Sequence, residues 1–244
     1  MPDALGWFVL GLGAIVGSTV GGVAGFGTGI IMIPLIAWVM GVKATVPVLT
    51  VAMVLGNLAR VWFSRGEVQG RVVGAFLVGA IPAAIAGAAL YSRIESEWIS
   101  RILGTFMLVA VPLRRWFSAH RVQIRLAHFP IIGGIFGCLS SLVGSVGPIM
   151  TPFFLGYGLR RGAYLATDAL CTVGMYIPRG VVFQSHGLLT GPTIAVGLAI
   201  GVVMIGGAWA GRWILDRMSE VVFLRLIEVL LVVFGLKFLL WPAR

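Results

Sequence analysis

Gly21-Gly22-Val23-Ala24-Gly25-Phe26-Gly27-Thr28-Gly29 runs into Ile30-Ile31-Met32-Ile33-Pro34. Later in the chain, Ser140-Ser141-Leu142-Val143-Gly144-Ser145-Val146-Gly147-Pro148 runs into Ile149-Met150-Thr151-Pro152. Glycine costs a helix interior about 1 kcal/mol per residue and proline about 3 kcal/mol. Clustered twice inside apolar sequence, they predict two broken helices. A helix that restarts exposes backbone N–H groups and the positive end of its dipole. Two such starts meeting near the middle of a membrane make an anion site without a full charge. The competing reading is that the glycines only let helices cross closely.

The two stretches are copies. Gly29-Ile30-Ile31-Met32-Ile33-Pro34 and Gly147-Pro148-Ile149-Met150-Thr151-Pro152 share G-x-I-M-x-P at an offset of 118. Arg60 maps to Arg179, and Ser96-Glu97 with Arg101 maps to Ser219-Glu220 with Arg225. Three matches in the same order, at offsets of 118, 119 and 123 to 124, favour an internal repeat over chance likeness of glycine-rich segments.

Composition fixes the solvent. Of 244 residues, 59% are hydrophobic and only 11% charged, against roughly 25% charged in soluble domains. Mean hydropathy is +1.04. A soluble fold could not cover that much apolar surface, and a membrane β-barrel would show short alternating segments instead of unbroken apolar runs. The net charge of +10 sits at the ends of apolar runs, so it reads as topology and not as nucleic-acid binding. No Lys or Arg precedes Lys43, so the first segment is expected to be retained and not cleaved as a secretory signal.

Ten apolar segments are expected: 6–23, 26–41, 44–63, 72–91, 98–113, 127–142, 145–158, 163–183, 188–211 and 220–241. The first and second, and the sixth and seventh, are short and joined by uncharged glycine-rich stretches. They read as hairpins that need not cross fully, which is tolerated where protein or a watery cavity covers them. The fifth is also somewhat short. The basic stretch from Arg114 and Arg115 to Arg121 and Arg125 is expected in the cytoplasm. Both termini are then outside, with Lys43 the one mild exception among the loops.

The expected fold class is an all-α polytopic membrane protein. It consists of two inverted-topology repeats, each a Gly-rich broken-helix hairpin plus three transmembrane helices. The first repeat covers 1–117, a basic cytoplasmic linker 118–126, and the second repeat 127–244.

A Gly-rich break followed by proline, repeated once over nearly the whole chain, resembles the sulfite exporter TauE/SafE family of membrane permeases. Thr28 in the first copy, and Ser145, Val146 and Pro148 in the second, depart from that family's commoner G-x-G-G-G form. The resemblance implies movement of a small sulfur-containing anion such as sulfite, sulfoacetate or another organosulfonate. It also implies a bacterial-type inner (cell) membrane location, with the lipid bilayer as partner and a homodimer as a further option.

The candidate substrate site is the backbone around Gly25, Gly27 and Gly29 and around Gly144 and Gly147, with Thr28 and Ser145 as hydroxyl donors. Asn57 and Tyr176 would add polar contacts. Arg60 and Arg179, as repeat equivalents, would be cationic gates, since a guanidinium holds an oxyanion with paired hydrogen bonds. Alternatively both snorkel to headgroups from near span ends. Asp168, inside the eighth segment, is either a proton-coupling carboxylate or half of a structural pair with Arg161 or a basic residue of another helix. Glu228 is expected to pair with Arg225 three residues earlier. Trp7, Trp98, Trp116 and Trp241 read as interface anchors.

The function expected is a secondary permease, an exporter working by alternating access, with no catalytic residues, metal or cofactor. No Walker-type motif supplies ATP. A passive anion channel is the alternative. A thiol-redox carrier using Cys138 and Cys171 fits less well, because both cysteines lie in the second half, opposite Thr19 and Ala52.

Overall fold

A computed structural model describes residues 2–24, 27–119, 123–159, 161–214 and 220–240. Ten α-helices follow one another, with no strand among the described residues: α1 (Ala4–Ala24), α2 (Thr28–Met40), α3 (Val42–Phe63), α4 (Gly70–Arg93), α5 (Ser96–Ala119), α6 (Phe129–Val143), α7 (Gly147–Gly156), α8 (Arg161–Ser185), α9 (Gly191–Ile214) and α10 (Glu220–Leu240). One-turn 3-10 helices occupy Arg65–Glu67 and Leu126–His128. The protein is a polytopic helical membrane protein. Four stretches, Val42–Phe63, Gly70–Arg93, Ser96–Phe117 and Leu126–Val143, are long and apolar enough to cross a bilayer among the described residues. Helices suit this composition because lipid offers no partner for backbone N–H and C=O groups. Large apolar side chains such as Phe8, Trp62, Val78, Ile131, Val181 and Val202 point outward, as a lipid solvent permits.

Three segment lengths differ from the sequence reading, the sixth because Leu126–Val143 is long and apolar enough to cross. The first is not short: α1 has 21 residues, and the short legs are α2 and α7, with 13 and 10. The fifth reaches Ala119, because Arg114, Arg115, Trp116 and Phe117 continue the helix and do not begin a loop. The Phe117 ring meets Phe153 of α7 at 4.8 Å between centroids.

The closest packing among the described residues is between helices from the two halves of the chain. On α4 and α6, Gly79 faces the Pro130 carbonyl, Gly133 the Phe76 carbonyl, Gly137 Ala80 and Gly87 Cys138. The constant register makes the pair parallel and leaves no room for a Cβ, the small-residue packing expected inside membranes. The Ser141 hydroxyl donates across to the Ala84 carbonyl at 3.0 Å. In the same way α3 lies parallel to α9, with Gly197 against Val48 and Val51, Gly201 against Leu55 and Gly56 against Met204. α1 also packs on α9, α8 on both α3 and α4, and α5 on α10. Exchanging α1–α5 for α6–α10 turns α4 on α6 into α9 on α1, and α3 on α9 into α8 on α4.

Charged side chains fasten the ends. Lys43 donates to the carbonyls of Tyr91, Ser92 and Ile94, capping the C-terminal end of α4 with a cation. Glu228 of α10 takes Arg114 and Arg115 of α5. These partners on another helix were not expected; the expected pair with Arg225 falls on a side chain outside the described ones.

Candidate functional site

The two breaks converge. α2 restarts after Gly27, whose φ of 110° is a left-handed conformation open to glycine. α6 ends at Gly144, φ 84°, and α7 restarts after Val146. The helical ladder begins at Ile31 N–H to the Gly27 carbonyl in α2, and at Ile149 and Met150 N–H to the Val146 carbonyl in α7. The N–H groups of Thr28, Gly29 and Gly147 therefore stand ahead of it, at the positive ends of two helix dipoles. Gly29 lies directly against Ser145: a Cβ there would sit 2.5 Å from the serine hydroxyl oxygen and closer to its Cβ.

A small cavity opens at this junction. Gly27, Thr28, Gly29, Ser145, Val146 and Gly147 form one side, and Met53, Asn57, Arg60, Asp168, Thr172 and Tyr176 line much of the rest. Its room for water centres is about 20 Å³, enough for about one molecule. A smaller recess continues from Thr28, Asn57 and Arg60 toward Ser18, Gly21 and Met204. The polar wall comes from two helical stripes. Met53, Asn57 and Arg60 recur on one face of α3, and Asp168, Thr172 and Tyr176 on one face of α8.

Electrostatics centre on Arg60. Its guanidinium meets Asp168 Oδ2 at 3.2 Å and donates to Asn57 Oδ1 at 2.9 Å. Asn57 in turn donates to the Met53 carbonyl at 2.7 Å. Asp168 thus pairs with a basic residue of another helix, 108 positions away. Its Oδ1 is buried and without a hydrogen-bond partner. A half-satisfied carboxylate in a low-dielectric site is costly unless something else occupies its neighbourhood.

Among the expected donors, several protons are already committed. The Thr28 hydroxyl donates to the Gly17 carbonyl at 2.7 Å, and the Tyr176 hydroxyl to the Gly144 carbonyl at 2.7 Å. Both brace a broken-helix end. No partner of the Ser145 hydroxyl is present among the described residues, and it faces the cavity. Arg179 stands apart from the cavity lining. It is 0% exposed, which excludes snorkelling. It donates to the Ser140 carbonyl at 2.7 Å and lies 3.6 Å from the Tyr176 ring centroid. Its Nε and Nη2 find no hydrogen-bond partner. Gly25 falls outside the described residues.

Met53, Met150, Thr172 and Met175 also line the cavity and were not among the expected residues. Met53 and Thr172 were reachable, since each precedes a chosen residue, Asn57 or Tyr176, by one helical turn. No cluster of three metal-binding side chains occurs among the described residues. Cys171 is buried, Cys138 half-buried, and both are free thiols.

A bundle of membrane helices, with its polar chemistry gathered where two of them restart, defines a membrane protein built around one small interior site. Residues 9–238 match the model of the family described as sulfite exporter TauE/SafE, and the chain belongs to that family. No curated protein and no solved structure matches it. The family is one of membrane transporters of sulfur anions.

Proposed function

We propose that the chain is a secondary transporter, an exporter, of sulfite or a related small organosulfonate such as sulfoacetate, and that its substrate rests between the starts of α2 and α7. The observation that carries this reading is the convergence of two helix N-termini with Arg60 in one cavity. Two partial positive ends and one guanidinium suit an oxyanion that must be held and then released. Ser145, Asn57 and the N–H groups of Thr28, Gly29 and Gly147 supply further donors around it. Arg179, held at the end of α6, adds positive potential from behind Tyr176.

Alternating access follows from two halves, 1–117 and 127–244, joined by 118–126 and related by inversion. The exchange symmetry of the helix packings supports that relation. The linker is cytoplasmic and both termini are outside in this reading, because the basic side chains gather at that end.

Reconstituted protein loaded with unlabelled sulfite should accumulate labelled sulfite transiently and saturably. Flux without this counterflow would indicate a channel. No flux of sulfite, sulfoacetate or isethionate would remove the substrate assignment.

A further inference from the structure

We infer that Asp168 is a resident stand-in for the transported anion: it occupies Arg60 in the empty carrier, and arriving substrate displaces it and leaves it protonated, so that each anion moves with one proton. This rests on the transport reading of the same cavity and adds its coupling.

Three features carry the inference. Asp168 and the helix starts line the same small space, so a substrate anion there lies beside the carboxylate. Asp168 Oδ2 already occupies Nη2 of Arg60, a position an oxyanion would take. Its Oδ1 is buried with no partner, an open seat for a proton on a residue that lines the cavity. Two anions in a low-dielectric pocket cannot both stay charged, and the group able to accept a proton does so. The proton comes from water and forms an O–H bond at Oδ1. The neutral acid then donates a hydrogen bond to the anion that replaced it. Departure of the anion returns the proton to water and Asp168 to Arg60.

The surroundings leave Asp168 as the group that changes. On α3 the facing charge is the Arg60 guanidinium. On α8 itself stand Tyr164, Cys171, Tyr176 and Arg179, and the Arg161 side chain lies outside the described ones. Glu67 of the 3-10 turn faces Gly162. α1, α2 and α7 contribute no titratable group, and α4 carries Arg71, Tyr91 and Arg93 at its two ends only. The partnership is one-sided. The residue 119 positions before Asp168 is Leu49, so the second arginine, Arg179, has no matching carboxylate there. Sulfite dianion with one proton leaves one negative charge, which an interior-negative membrane potential drives outward.

Calorimetric titration of the purified full-length protein with sulfite, in buffers of different ionisation enthalpy at mildly alkaline pH, counts protons taken up on binding. The expected result is about one more proton per bound sulfite for the parent than for Asp168→Asn. The variant should also bind about tenfold more tightly at that pH, with the gap closing as pH falls. Equal proton uptake, or parallel pH profiles, would overturn the coupling while leaving transport intact. Absence of sulfite binding in both proteins would remove the transport reading itself. Infrared difference spectra of the parent give an independent readout, should the variant fail to fold. Sulfite should raise a protonated-carboxyl C=O band, and its absence would overturn the inference.

Discussion

The Cα of Gly29 rests against the side chain of Ser145, so the starts of the two short helices touch without any intervening side chain. A methyl group at position 29 has nowhere to go unless Ser145 yields. Gly29→Ala should therefore destabilise the protein by ~1–3 kcal/mol, typical of overpacking, and reduce counterflow. Gly29→Ala with Ser145→Gly should recover most of the stability. Thermal unfolding in detergent checks this. Equal losses in the single and double variants would mean that the two breaks do not depend on each other.

Arg60 and Arg179, 119 positions apart in the sequence, should differ in what their loss does. Arg60→Gln removes a cation from the cavity and is expected to weaken sulfite binding at least about tenfold. Arg179→Met replaces a fully buried guanidinium that has two unsatisfied nitrogens with an apolar side chain. Such exchanges are often neutral or stabilising, so its unfolding temperature should hold or rise while transport falls. A large drop in stability would assign Arg179 to bracing Ser140 alone.

The clamp at Glu228 is unequal. Arg114 has 13% of its side chain exposed and Arg115 has 67%. An exposed ion pair contributes at most about 1 kcal/mol, whereas stripping a partner from a buried charge costs more. Arg114→Gln should thus lower the unfolding temperature more than Arg115→Gln. The reverse order in thermal melts would contradict the packing of α5 on α10.

Gly27→Val should abolish transport, since the left-handed backbone there excludes a β-branched residue and the side chain would enter the cavity. Lys43→Ala is a poor control, because Lys43 caps α4. Arg101→Gln, at a half-exposed surface pair with Glu97, should leave flux near the parental level. Normal flux from correctly inserted Gly27→Val would take the break out of the site.

What was legible in the sequence was whatever local chemistry decides. Glycine and proline are costly in a helix interior and cluster at both breaks, so the starts of α2 and α7 could be placed from Gly27–Gly29 and Gly144–Gly147. The residues facing them across the cavity, Asn57, Arg60, Asp168 and Tyr176, stood out because polar groups are rare in such runs. Their partners did not. The link from Arg60 to Asp168 spans 108 positions and exists only once α3 lies against α8. Local spacing along α10 says nothing of Arg114 and Arg115, which packing of α5 on α10 brings to Glu228. α5 looked short because arginines near a membrane edge were read as a loop.

The intimate contact of α4 with α6, and of α1 with α9, has a consequence for synthesis. When the ribosome has finished the first five helices, the groove beside Gly79 and Gly87 is empty, and α1 has no neighbour at the face that meets Gly207. The nascent half waits in the bilayer with its tightest seams open until the second half emerges to fill them. Assembly is therefore late and all at once. The insertion machinery must hold the early helices apart from other membrane chains, whose small-residue faces could settle into the same vacant groove.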